Sequence, residues 1–307
     1  MGDGLDAYST VWEPARFSGQ HMIGYMLFIC FGYYYKALIH LFHVPGYPDR
    51  DPPLYQGTDF NHWLELALYC PLMWVCMHMM VDNVFSLPLP GHNDTASTAR
   101  RKRWRFLTDF CVAYFFFAQG AHQIANNLEM YSRRILGLEG TPIHKVIYFF
   151  DEDLTHVMQF IPMYAIFFLV TLHDPPGRFI SPLASVVAGA GHGVENAIGI
   201  IEGNQPWIVG PAVLSMVVAA IFRWKYRYND DTRAVWRDFF FRYMTMKATM
   251  MSLSVVAWHF LFGLYVQSHE LPMWQVAVFG VGATSFGIAM MLCWDHFRDR
   301  LLFRSQA

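Results

Sequence analysis

Charged residues are scarce in this sequence, and several features of soluble or secreted proteins are missing. They make up 15% of the 307 residues, whereas soluble proteins carry about 25%. The five cysteines are odd in number, scattered through apolar segments and never in CxxC spacing, which excludes a disulfide framework. Residues 1–20 lack the basic region of a cleaved signal peptide, so the first apolar segment is expected to persist as a membrane span.

Long apolar segments dominate the rest of the chain. Hydrophobic residues make up 54% of it, and the mean hydropathy is +0.23. A helix of about 20 apolar residues crosses a hydrocarbon core of about 30 Å. We therefore expect an all-α fold, in which residues 1–307 form a single transmembrane domain, a polytopic helical bundle that follows the short polar segment 1–20. The eight predicted transmembrane helices are 21–43, 62–86, 105–129, 152–173, 179–201, 206–223, 239–267 and 273–297.

Lysines and arginines are distributed unevenly between the loops of this predicted bundle. Eight helices place both termini on one side of the membrane, and most of the 22 lysines and arginines lie on that side. The basic segment Arg100–Arg105 and the loop 224–238 contribute many of them. The positive-inside rule therefore predicts an integral protein of the cytoplasmic (inner) membrane with both termini in the cytoplasm. We expect the basic segment to contact anionic membrane lipids and not nucleic acid.

Histidine and carboxylate side chains occur together in several predicted membrane helices. Ionisable groups are costly in hydrocarbon and usually serve ion, proton or substrate chemistry. Because successive helices run in opposite directions, the predicted topology brings these side chains towards the non-cytoplasmic leaflet. Helical spacing of three, four or seven residues also places neighbours on one helix face. The predicted metal ligands are His122, Glu129, Asp153, His156, His192, Glu195 and His259.

This combination of side chains is typical of metal sites. Imidazole and carboxylate groups together bind zinc and iron, and imidazole also binds copper. The predicted outer half contains few lysines or arginines to neutralise the carboxylates, which implies a bound cation or raised carboxylate pKa values. We therefore predict one or two metal ions, with zinc, iron and copper all open. The carboxylates predicted to act in catalysis are Glu129, Asp153 and Glu195.

The acidic run from Asp151 to Asp153 leaves a choice open. Asp153 and His156 are spaced i, i+3, and Glu152 and His156 are spaced i, i+4, so either carboxylate can share a face with the histidine. Acidic residues also favour the start of a helix through its dipole, so some of them can serve as caps.

Glycines surround one of the predicted ligands. Gly189, Gly191 and Gly193 lie next to His192 in the predicted fifth helix. Small residues let neighbouring helices approach closely. We expect that packing to turn His192 and Glu195 into the bundle and away from lipid.

These patterns predict a membrane metalloenzyme that acts on a lipid or another apolar molecule. Zinc would lower the pKa of bound water and support hydrolysis, whereas iron or copper would support oxidation by oxygen. Two alternatives stay open. His122 and His192 could ligate a haem in an electron-transfer or quinone module, or the ionisable side chains could form a path for ions or protons. The HxxHH boxes of membrane desaturases and hydroxylases are absent.

Overall fold

The described part of the chain is helical throughout. The structure, a computed structural model, describes residues 24–26, 28–29, 64–86, 95–175, 182–202, 205–228, 232–262 and 283. These residues are 93% helical and include no strand, which confirms the all-α class for them. The predicted first and last helices, at 21–43 and 273–297, lie almost entirely outside the described residues, as does the segment 1–20.

The helices are numbered here in chain order. Three π-helical turns extend them, before α1, between α3 and α4 and after α6, at Glu65–Tyr69, Phe149–Thr155 and Arg223–Arg227. A short 3₁₀ turn, Pro206–Ile208, leads into α6. The helices are α1 Cys70–Ser86, α2 Thr95–Arg134, α3 Pro142–Tyr148, α4 His156–His173, α5 Pro182–Glu202, α6 Val209–Phe222, α7 Thr232–Arg237 and α8 Phe239–Phe262.

Within the described ranges, three helical segments are long and apolar enough to cross a membrane. They are Glu65–Ser86, Pro142–His173 and Val209–Tyr226. The first contains α1, the second runs from α3 through α4, and the third contains α6. Their length and composition are consistent with a membrane protein.

The loop between the predicted transmembrane helices 105–129 and 152–173 is shorter than expected. Helix α3 begins at Pro142, directly after Thr141, whose side-chain oxygen accepts a hydrogen bond from the His144 amide at 3.3 Å. Threonine is a favourable helix cap, and a proline in the first turn loses no helical hydrogen bond. The helix that continues through α4 therefore starts well before the predicted span 152–173.

Arginine side chains join helix ends at one end of the bundle. Arg101, near the start of α2, donates hydrogen bonds to the carbonyl oxygens of Val84 at 2.6 Å and Phe85 at 3.0 Å, at the end of α1. Burial lowers the pKa of Arg101, and the negative charge of Asp174, just after α4, opposes that shift. The ends of α1 and α4 therefore lie beside the start of α2.

Arg223, which is fully buried, extends this connection to two more helices. It donates hydrogen bonds to the Asp238 carboxylate at 2.8 and 2.5 Å, and to the carbonyl oxygens of Thr171 at 2.7 Å and Asp174 at 3.0 Å. Asp238 also caps the start of α8 by accepting a hydrogen bond from the Phe241 amide at 2.9 Å. Helices α1, α4 and α6 thus run towards this end, and α2 and α8 run away from it.

Helix α2 presents a stripe of large apolar side chains on its outer face. Phe106, Phe110, Phe117 and Ile124 are between 58% and 73% exposed. Spacings of four and seven residues put them on one side of the helix. A continuous apolar face of this kind is typical of a helix that contacts lipid or another apolar surface.

Helix α5 packs in parallel along α8 through two glycines. A Cβ atom on Gly189 would lie 2.6 Å from the carbonyl oxygen of Tyr243, and one on Gly193 would lie 2.6 Å from that of Lys247. A larger residue at either position would force the helices apart, as at other close helix contacts. The predicted packing role of these two glycines is therefore confirmed, and His192 between them is 1% exposed.

Candidate functional site

His122 in α2 lies against the π-helical turn that precedes α4. Its Nδ1 atom is 3.1 Å from Asp151 Oδ1 and 3.2 Å from the Thr155 hydroxyl oxygen. Thr155 donates its own hydroxyl hydrogen to the carbonyl oxygen of Asp151 at 2.5 Å, so its oxygen is left to accept one. The neutral ring therefore carries its hydrogen on Nδ1, and the Nε2 lone pair is available for a proton or a metal.

His156, the first residue of α4, is held in a similar way. Its Nδ1 atom lies 2.7 Å from the carbonyl oxygen of Glu152 and 3.5 Å from a carboxylate oxygen of the same residue. A carbonyl oxygen only accepts, so Nδ1 donates and the neutral ring has its lone pair on Nε2. The ring centroids of His122 and His156 are 4.6 Å apart. Two imidazoles with the same tautomer thus lie side by side where α2 meets α4.

An apolar groove of about 650 Å³ runs beside this histidine pair. It lies between α2 and the chain from α3 to the start of α4, and Thr155 in its wall also contacts His122. Phe117 and Ile124 in the other wall are more than half exposed, so the groove opens to the outside of the described bundle. Thr155 therefore links His122 to the groove.

A second polar cluster lies between α5 and α8. His192 forms a hydrogen bond through Nδ1 with the Tyr243 hydroxyl. Its Nε2 atom lies 3.4 Å from Lys247 Nζ and 4.0 Å from Glu195 Oε2. Asn196 donates a hydrogen bond to the same Glu195 oxygen at 2.5 Å. Sequence spacing indicated His192 and Glu195, but it gave no functional role to Tyr243 or Lys247, because no local pattern links α5 with α8.

Glu129 belongs to a third cluster, near the end of α2. Its Oε1 atom is 3.3 Å from Arg133 Nε and 3.6 Å from His144 Nε2. The Ser132 hydroxyl oxygen lies 3.0 Å from His144 Nδ1, and Ser132 donates to the Glu129 carbonyl oxygen at 2.8 Å. Sequence analysis missed Ser132 and His144, because His144 lies in the segment expected to be a loop.

Two further predicted ligands have different neighbours. Asp153 accepts a hydrogen bond from the Gln205 side chain at 3.0 Å, and Gln205 in turn accepts one from Trp207 at 2.5 Å. His259 is exposed, and its ring centroid lies 5.6 Å from that of Phe260. These contacts place Asp153 where α4 begins and α6 approaches, and His259 on the outer face of α8.

Comparison with known proteins identifies no relative. The chain matches no protein-family model, no curated protein and no solved structure. Its chemistry is therefore inferred from the side chains described above.

The predicted ligands are distributed over several places in the bundle. The structure brings His122 together with His156, and His192 together with Glu195. Among the residues that the structure describes, no group of three or more His, Cys, Asp or Glu side chains could hold a metal ion. A metal bound to a pair of these side chains would need water or substrate to complete its coordination.

Proposed function

We propose that the protein is an integral-membrane metalloenzyme that acts on a lipid or another apolar molecule, with His122 and His156 as metal ligands. The observation that supports this proposal is the pair of imidazoles 4.6 Å apart, each with Nδ1 beside an oxygen acceptor. Metal-binding histidines usually donate their second N–H to a carboxylate or a backbone carbonyl. Asp151 and the carbonyl of Glu152 supply one acceptor of each kind.

The spacing of the two rings suits a single ion. Imidazoles bound to one tetrahedral ion at about 2.0–2.1 Å have ring centroids roughly 5 Å apart. The separation of 4.6 Å between His122 and His156 is close to that value, so small side-chain rotations would be enough. Zinc at this place would activate water for hydrolysis, and iron or copper would activate oxygen.

The groove beside the pair suits an apolar substrate. Its walls are aromatic and aliphatic apart from Thr155, whose hydroxyl contacts His122. An acyl chain in the groove would bury apolar surface, which is favourable at roughly 25 cal/mol per Å². The reacting group of such a molecule would then lie near Thr155, next to the histidine pair.

The proposal includes the orientation of the bundle in the membrane. In this arrangement the eight transmembrane helices predicted from the sequence cross the inner membrane. Both termini lie in the cytoplasm, and the histidine pair lies towards the opposite face. Three apolar helices and the alternating helix directions support this arrangement. The basic segment Arg100–Arg105 also supports it, because His122 lies roughly 30 Å further along the same helix.

Elemental analysis of the full-length protein purified in detergent tests the proposal. The wild type is expected to bind metal, and His122→Ala and His156→Ala should each lower the bound metal by roughly tenfold or more. His259→Ala, which removes an exposed histidine, serves as the control and should bind as much metal as the wild type. A wild type without metal, or equal metal in the three variants, would contradict the proposal.

The same purified sample distinguishes between hydrolysis, oxidation and haem binding. Zinc would favour hydrolysis, and iron or copper would favour oxidation. A Soret band in the absorption spectrum would support the haem alternative instead. The catalytic roles of Glu129, Asp153 and Glu195 stay predictions, to be tested by activity assays of their amide variants once a substrate is found.

A further inference from the structure

The basic segment Arg100–Arg105 is divided between two faces of α2. Arg101 faces the bundle and donates hydrogen bonds to carbonyl oxygens at the end of α1. Arg105 faces the same helix, with its guanidinium 2.8 Å from the carboxylate of Asp82 and 3.7 Å from that of Asp109. The charged groups of these two arginines are therefore engaged within the protein.

The other three basic residues of the segment, Arg100, Lys102 and Arg103, are exposed. Successive residues of an α-helix are rotated by about 100° around its axis. Arg103 therefore lies about 160° from both Arg101 and Arg105, on the opposite side of α2. Arg100 lies about 60° to one side of it, and Lys102 lies about 100° to the other. Three positive charges thus face away from the bundle.

Exposed aromatic side chains continue from Arg103 along the same face of the helix. Phe106 is 73% exposed and Phe110 is 58% exposed, and spacings of three and seven residues align them with Arg103. The ring centroid of Tyr114 lies 6.4 Å from that of Phe110 and 6.2 Å from that of Phe117. The rings from Phe106 to Phe117 cover roughly 16 Å, which is about the thickness of one leaflet of the hydrocarbon core.

A tryptophan lies at the level of the positive charges. Trp104 is 38% exposed, and its ring centroid is 5.4 Å from that of His173, the last residue of α4. Tryptophan is enriched where the hydrocarbon of a membrane meets its polar surface. Arg103 precedes this tryptophan and Phe106 follows it, so the change from charged to apolar surface occurs where lipid headgroups give way to acyl chains.

We infer that this face of α2 is a binding site for one anionic phospholipid. Arg103, at the end of the aromatic face, binds the lipid phosphate, because a guanidinium group can form two parallel hydrogen bonds with phosphate oxygens. Arg100 and Lys102 beside it favour a headgroup with net negative charge and repel the ammonium group of a zwitterionic one. The acyl chains pack against Phe106 and Phe110.

Native mass spectrometry of the full-length protein in detergent tests this inference. The protein is titrated with phosphatidylglycerol or with phosphatidylcholine of the same acyl chains, and the dissociation constant of the first bound lipid is measured. The wild type should bind phosphatidylglycerol about tenfold or more tightly than phosphatidylcholine. Arg103→Gln should weaken the binding of phosphatidylglycerol about fivefold, the effect of one basic residue near an anionic lipid headgroup. Phe110→Ala should weaken the binding of both lipids alike.

The matched control is Arg237→Gln in α7. Arg237 is also exposed, but the aromatic residues that follow it, Phe239 and Phe240, are buried, so this variant should bind phosphatidylglycerol like the wild type. Equal affinity of the wild type for the two lipids, or equal losses in Arg103→Gln and Arg237→Gln, would overturn the inference. A dimer without bound lipid would also overturn it, since a second copy of the chain would then cover this face. None of these outcomes bears on the proposed metal site, which is tested by metal content.

Discussion

In the proposed metal site, the carboxylate beside His122 would control how well this ring binds a metal. Asp151, 3.1 Å from Nδ1, favours the ring hydrogen on that nitrogen and makes Nε2 a better ligand. Thr155 contacts the same nitrogen and links the ring to the groove wall. Removal of the Asp151 charge would therefore weaken the Nε2 atom as a ligand while the ring stays in place.

Asp151→Asn is expected to lower the metal affinity of the protein by about 10- to 100-fold. Removal of a residue that accepts a hydrogen bond from a metal-binding histidine usually has an effect of this size. Competition with a chromogenic chelator measures that affinity. Asp153→Asn is the matched control, because the Asp153 side chain accepts its hydrogen bond from Gln205. Equal affinities of the two variants would show that Asp151 does not support a metal ligand.

Sequence spacing identified both histidines of the pair but left Glu152 and Asp153 open as partners of His156. The structure places Glu152 beside His156 and Asp153 beside Gln205. The reason is the π-helical turn Phe149–Thr155, in which each turn holds more residues than in an α-helix. A count based on 3.6 residues per turn does not reveal such a change of face.

Among the helices, the close contact of α5 with α8 requires glycine at position 193, because glycine has no Cβ atom. Gly193→Ala should destabilise the protein by about 1–3 kcal/mol, as overpacking usually does, because the new Cβ would lie 2.6 Å from the Lys247 carbonyl oxygen. Thermal unfolding in detergent measures the effect. Gly120→Ala in α2 is the control, since nothing lies within 4 Å of its Cβ position, and it should leave stability unchanged or raise it by up to about 1 kcal/mol. Equal midpoints for the two variants would contradict a close contact at Gly193.

Helix positions were easier to predict than helix contacts. The end of α4 at His173 agrees with the predicted span 152–173, because apolar length determines where a helix can continue. The early start at Pro142 was missed, although Thr141 followed by proline is a recognisable start signal. The contact of His192 with Lys247 depends on how two distant helices are rotated about their axes, which single-sequence periodicity does not contain.

For the whole molecule, the directions of the helices can be read from contacts at both ends of the bundle. Arg101 and Arg223 join helix ends on one side. On the other side, the start of α4 contacts the turn before α6 through Asp153 and Gln205, and it contacts the second half of α2 through Asp151 and His122. Successive long helices in the described part of the chain therefore run in alternate directions, as the predicted topology assumed. This arrangement leaves the polar clusters at His122 and Glu129 on the side opposite the basic segment.

That arrangement predicts which surfaces face the outside of the cell. In a variant whose five cysteines are replaced by alanine, a membrane-impermeant maleimide added to intact cells should label Glu139→Cys, in the loop between α2 and α3. It should not label Arg103→Cys until the membrane is permeabilised, because the positive-inside rule places that basic segment in the cytoplasm. Both positions are exposed, so access to the reagent decides the result. Labelling of both in intact cells would mean that the two ends of α2 lie on the same side of the membrane, and the reverse pattern would place the His122 cluster towards the cytoplasm.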